Sequence, residues 1–265
     1  MNLPVPDQRG FAKQLKRFVP GSWFRRLTTT YNAMLARVPY GLKYPVAGIV
    51  RHGRAPYCFL EVGDVVVQVG APRDILAAGR SRAVHFARLV GRGRVLVVEP
   101  DAENCAALRR FVADVGLQDR IRLFECGAWH TSTTLTFLTS DDHPAANVLD
   151  GVQQISSAEA QQRGYRKVEV PVRSLDDMLD EAGFGCPKLV SVTTNGAEMQ
   201  IVAGMRNTIA AGCPYISLAS TGEGYIEQMQ RYGYEYIVRD DRGYCFRQLA
   251  LVAPSEPQPA LVPSG

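Results

Sequence analysis

A glycine that ends one apolar run and a carboxylate that ends the next are the first residues that could act on one ligand. The run DVVVQV (64–69) stops at Gly70-Ala71, and VLVVE (95–99) ends on Glu99. A glycine at such a place lets the backbone approach a ligand and turn sharply into a helix. In nucleotide-binding α/β folds, a carboxylate at the end of the neighbouring strand accepts both ribose hydroxyls. Pro72, Arg73 and Asp74 follow directly, and Arg73, Arg80 and Arg82 flank the start of the next helix. Helix N-termini attract anions through free N–H groups and the dipole, and guanidinium forks add bidentate recognition of carboxylate, phosphate or sulfate. The three arginines are therefore a candidate anion site, with solvated loop side chains as the competing reading. Asp74 and Glu198 are candidate bases, although Glu198 could instead only cap the helix that begins near Gly196. Trp129 and His130 follow a third apolar run, IRLFEC. Trp129 could stack a ring or cover the core, and His130 could act as a base.

The elements that must position these residues alternate along the chain. DVVVQV, VLVVE, IRLFEC, KLVSV (188–192) and YISLA (215–219) read as strands, the first two as buried parallel ones. Between them lie RAVHFARLV (82–90), with Ser81 as its N-cap, and AENCAALRRFVADV, capped by Asp101 and ended by Gly116. SLDDMLDEAG opens with a capping box from Ser174 to Asp177 and stops at Gly183. GAEMQIVAGM and GYIEQMQRYG read as helices, TLTFL and KVEVPV as further extended segments, and YEYIV with YCFRQL as a closing pair. Such alternation predicts a mostly parallel, doubly wound sheet whose ligands bind at the carboxyl ends of the strands. That places the site at the loops after Val69, Glu99, Cys126 and Val192.

Composition bounds the rest. The 265 residues, 46% hydrophobic and 21% charged, suit one large domain with an extension. Three regions are expected: a basic helical extension (1–55), an α/β domain (56–250) and a disordered tail (251–265). The extension reads as helices broken at Pro20-Gly21 and at Pro39-Tyr40-Gly41. It carries ten basic side chains and one acid, whereas acids outnumber bases in the remainder. Clustered positive charge suits an anionic substrate, or an acidic carrier or partner protein. Nucleic acid is not expected, because no recognisable module accompanies the charge. No apolar run is long enough to span a bilayer, and the N-terminus lacks a signal-peptide core, so a cytoplasmic protein is expected. The six cysteines form no pair at metal-ligand spacing, and no metal is expected.

Four stretches together, DVVVQVGA, RVLVVEPDAENCAALRR, VPVRSLDDML and KLVSVTTNGAEMQIVAGM, resemble the FkbM-type methyltransferases in order and spacing. The resemblance runs from about residue 60 to 240. It implies a Rossmann-like class I fold: a mostly parallel seven-stranded sheet, helices on both faces and an antiparallel hairpin at one edge. It also implies a site for S-adenosylmethionine (SAM) and O-methylation of sugars and other natural products. Glu99, Gly196, Ala197 and Glu198 match the family pattern. The departures are Gln68 in place of an acid, the inserted turn from Pro72, and VTTNGAE where the family reads IDVEGAE. Thr193 and Asn195 thus replace two acids.

SAM carries positive charge at its sulfur and its ammonium, and a hydrogen bond from a charged group to a carboxylate is worth roughly 1.5–3 kcal/mol. Losing several such acids weakens SAM binding, yet the replacements are polar, as suits a different polar ligand. Three readings stay open. One is a SAM-independent natural-product enzyme that expels a leaving group or closes a ring on an anionic small molecule. It would use Asp74, Thr193, Asn195 or Glu198 in catalysis and Arg73, Arg80, Arg82 and His130 for the anion; the aziridine-forming proteins of azinomycin-type antibiotic pathways are a precedent for such repurposing. The second is a SAM-dependent O-methyltransferase holding its cofactor with Gln68, Gly70, Glu99 and Trp129. The third is a non-catalytic partner protein.

Overall fold

In the computed structural model, the described residues are 37–139, 148–149, 165–194, 196–219, 224–240 and 242–249, with Thr30 and Met34. Its centre is a run of short apolar strands. β1 (Val65–Val69) pairs in parallel with β2 (Arg94–Val98), and β2 with β3 (Ile121–Phe124). Two two-residue or longer strands follow, β4 (Gly127–Ala128) and β5 (Thr133–Thr139), then β6 (Val148–Leu149) and β7 (Arg166–Arg173). On the other side of β1, β8 (Leu189–Val192) and β9 (Tyr215–Leu218) continue the parallel set. β10 (Tyr234–Arg239) and β11 (Tyr244–Gln248) close the sheet as an antiparallel pair, with β11 also antiparallel to β9. The seven-stranded order is β10-β11-β9-β8-β1-β2-β3, with the edge hairpin that the resemblance implied.

Helices cover both faces because both faces of the strands are apolar. On one side are α1 (Tyr40–His52), a short α2 (Arg73–Ala77), α3 (Arg82–Leu89) and α4 (Ala102–Asp114). Tyr44, Leu76, Phe86 and Leu108 from these helices join Val66, Val95 and Val97 in one core. The opposite core gathers Val67, Val69, Leu96 and Val98 against α5 (Leu175–Ala182), α6 (Glu198–Ala203) and α8 (Tyr225–Arg231), with α7 (Arg206–Ala210) following α6. Each fully buried Val or Leu contributes roughly 1.5–3 kcal/mol of transfer free energy. The caps read from sequence are present in two places: Asp101 accepts from the Asn104 N–H at 2.9 Å, and Ser174 Oγ from the Asp177 N–H at 3.1 Å.

Four features differ from the expectations. Pro39-Tyr40-Gly41 starts a helix and does not merely break one: Pro39 is the N-cap, and α1 runs on through Pro45 to His52 because Tyr44 is fully buried against the body. The inserted loop after β1 contains α2. The helix expected over 196–205 is shorter, ending at Ala203, and α7, not expected from the sequence, follows it; both carboxylate oxygens of Asp176 accept N–H groups at its start, from Asn207 and Thr208. The segments TLTFL and KVEVPV do not stand alone. They pair as β5 and β7 in a second, four-stranded sheet of order β4-β7-β5-β6. The extension before residue 30 and the tail after residue 249 lie outside the described residues, as does Asn195.

Candidate functional site

Gly70 leaves β1 with φ +89°, a conformation that favours glycine. A Cβ there would stand 2.8 Å from the Thr193 carbonyl oxygen and 2.9 Å from its Oγ1, so β1 and β8 close against each other at their carboxyl ends. Gln68 completes the closure. Its Nε2 donates to Val69 O at 2.8 Å, to Gly70 O at 2.9 Å and to Thr193 Oγ1 at 2.8 Å. Thr193 Oγ1 in turn donates to Val69 O at 2.7 Å. The Gln68 Oε1 is buried and has no hydrogen-bond partner, which leaves an acceptor at the strand end. Gln68, Gly70 and Thr193 thus form one hydrogen-bonded unit where two family acids would stand.

Glu99 is buried at the end of β2, and its carboxylate is already engaged. Oε2 accepts the Ala71 N–H at 2.6 Å, and Oε1 accepts the Asp101 N–H at 3.1 Å and the Asn104 side chain at 3.2 Å. Asn104 Oδ1 accepts the Arg73 N–H at 3.1 Å, so one carboxylate and one amide tie the inserted loop to the start of α4. Burial pushes the Glu99 carboxyl above the usual glutamate range, and the three hydrogen bonds pull the other way. A cavity of about 330 Å³ opens at the start of α4, bounded by Pro100 and Asp101 and, from the second sheet, by Phe137, Val168 and Val170. The sequence signal for that wall was the alternating pattern of the two extended segments, which says nothing about where their sheet docks.

The three arginines do not converge. Arg82 is buried, and its guanidinium points into the fold, not toward a ligand at the loop. Its Nη2 lies 2.8 Å from Asp240 Oδ2, and its Nη1 donates to Ser191 Oγ at 3.1 Å and Ser217 Oγ at 3.0 Å. Asp240 also accepts the Ser217 hydroxyl at 2.9 Å and the Arg242 and Gly243 N–H groups at 2.7 Å. Local reading could not find a partner so far along the chain. The available signal was the polar residues interrupting the strands in register: Gln68 pairs with Ser191, Ser191 with Ser217, and Ser217 with Cys245. Buried hydroxyls in apolar strands require a partner, and Arg82 is it. Arg73 pairs with the exposed Glu103. Arg80 is half-buried, and Asp74 is exposed on α2. Ser81 stands at the N-cap of α3 but makes no side-chain cap bond.

The remaining nominees lie on the opposite core's side. Glu198 is fully buried at the start of α6, where its Oε2 accepts the Tyr225 hydroxyl at 3.0 Å. Trp129 is half-buried beyond β4, its N–H donating to Arg173 O at 2.9 Å, and its backbone runs against Gly204, where a Cβ would lie 2.3 Å from Trp129 O. His130 is exposed, its ring 5.4 Å from that of Trp129. Among the described residues, no three His, Cys, Asp or Glu side chains are grouped to hold a metal ion, and no helix is long and apolar enough to cross a membrane.

Residues 68–236 match the family model described as the methyltransferase FkbM domain. The 2-O-methyltransferase NoeI of Sinorhizobium fredii is 27% identical over 175 residues, covering 64% of this chain and 68% of that protein. Among solved structures, a methyltransferase FkbM from Methylobacillus flagellatus is 17% identical with a TM-score of 0.45. The comparison covers 84% of this chain and 58% of that one, so this chain spans little more than half its length. An O-methyltransferase structure from Klebsiella pneumoniae, itself described as putative, is 12% identical with a TM-score of 0.37, covering 90% and 95%.

Proposed function

This chain belongs to the FkbM methyltransferase family, and we propose that it is a biosynthetic enzyme that no longer uses SAM. In this reading it acts on an anionic small molecule, by expelling a leaving group or closing a ring at the carboxyl edge of the sheet. The observation that carries the reading is the state of the two anchors a nucleoside donor needs. Glu99, the ribose-type acid, already accepts three hydrogen bonds, from Ala71, Asp101 and Asn104, and keeps little capacity for two ribose hydroxyls. At the methionine end, Gln68 and Thr193 supply no negative charge and bond to each other. The residues therefore fit SAM poorly. Departure of an anionic leaving group needs positioning and electrostatic stabilisation more than a cofactor. Arg73 is held by Glu103 and Arg82 by Asp240; we assign the anion to the half-buried Arg80 and the exposed His130. Asp74, exposed on α2, is better placed than the enclosed Glu198 to take a proton from a bound molecule.

A second reading, a SAM-dependent O-methyltransferase, is favoured by Glu99 keeping its place after β2 and by the likeness to an O-methyltransferase. The two separate on turnover. Incubation with sulfated or phosphorylated amino alcohols in the absence of SAM should release sulfate or phosphate, and Arg80→Ala should lower the rate. Methyl transfer from SAM to a sugar hydroxyl, with no SAM-free release, would instead establish the second reading.

A further inference from the structure

α1 turns an apolar face outward. Leu42, Val46, Ile49 and Val50 recur at helical spacing and are 62%, 61%, 80% and 56% exposed, while Tyr40, Lys43 and Tyr44 of the same helix face the body. A soluble surface helix buries its apolar stripe, so this arrangement is inverted. The rim is basic: Arg37, His52, Arg54 and Arg88 are exposed, and no acid occurs between Asp7 and Glu61. Beside the stripe, between α1 and α3, lies a cavity of about 350 Å³ whose walls include Arg51, His52 and Arg88 and no acidic residue. The Arg51 Nη1 is buried and donates to nothing, its guanidinium lying 5.7 Å from the Tyr57 ring centre.

We propose that α1 docks flat on an anionic lipid surface, sinking Leu42, Val46, Ile49 and Val50 among the acyl chains while the exposed Arg37, Arg54 and Arg88 meet lipid phosphates. Helices with one aliphatic face and basic flanks lie in the membrane interface in this way. Charge selects this occupant over the alternatives. A second copy in a two-fold dimer would set the same basic rim against itself. Folding residues 1–36 over the stripe would add further positive charge to it. Protein interfaces draw on aromatic anchors at their centre, whereas the outward stripe is wholly aliphatic. Lys43 of α1 donates to Ala77 O in the inserted loop, so docking would bring that end of the sheet toward the lipid surface.

Flotation of the full chain with vesicles tests this. Vesicles of phosphatidylcholine with added phosphatidylglycerol should carry the protein up the gradient, and phosphatidylcholine alone should not. Val46→Glu with Ile49→Glu, both on the exposed face, should lower binding about tenfold or more while the melting curve is unchanged. Replacing Arg37, Arg54 and Arg88 with Gln should weaken binding by about fivefold per charge, as added salt also should. Equal recovery on both vesicle types, or unchanged flotation of the double glutamate variant, overturns the proposal. So does a failure to float combined with a dimer that the glutamate variant dissociates.

Discussion

Glu99, buried at the end of β2, ties the inserted loop to the start of α4. Three donors converge on it, so Glu99→Gln sets an amide against at least one N–H and should cost about 1–3 kcal/mol, read by urea unfolding. Its pH dependence has a definite sign. The folded state holds the Glu99 proton more tightly than the unfolded chain. The stability from this group is therefore complete below the ordinary glutamate range and is lost as pH rises through the raised folded value. Subtracting the Glu99→Gln profile from that of the parent should leave a curve that falls with rising pH across that window; a flat difference would remove the burial argument. Arg82 offers a sharper case. Arg82→Met strands Asp240 with two serine hydroxyls in a buried site, and breaking such a pair costs about 3–5 kcal/mol. If Arg82 served only an anionic ligand, the variant would melt with the parent and lose only binding.

Among the elements, the loop from Gly70 to α2 carries the most consequence. Its length was legible in the sequence as an insertion, and Gly70 was legible as the residue that lets it turn. Hidden from the sequence was its attachment, because the Ala71 N–H, the Arg73 N–H and Asn104 meet only once α4 is packed. Gly70→Ala should destabilise by at least about 1–3 kcal/mol, since it adds a left-handed strain to contact with Thr193, and thermal melting would show this. The strands β1, β2, β8 and β9 could be read closely because continuous apolar runs report burial on both faces. β5 and β7 were readable as extended but not as a second sheet, since alternation fixes a face and not a neighbour. α7 was missed for the same kind of reason: its first N–H groups are capped by Asp176, which lies in another helix.

At the scale of the molecule, the order of seven strands and the family follow directly from four motifs spaced along one chain, whereas the reaction rests on the few positions where those motifs depart. Gln68, Gly70 and Thr193 form a bonded strand end where the resemblance implies two acids. The central claim is that this edge does not hold SAM. Isothermal titration of the full-length protein with SAM and with S-adenosylhomocysteine tests it most directly. No saturable heat is expected with either compound up to millimolar concentration; dissociation constants in the low micromolar range would overturn the SAM-independent reading.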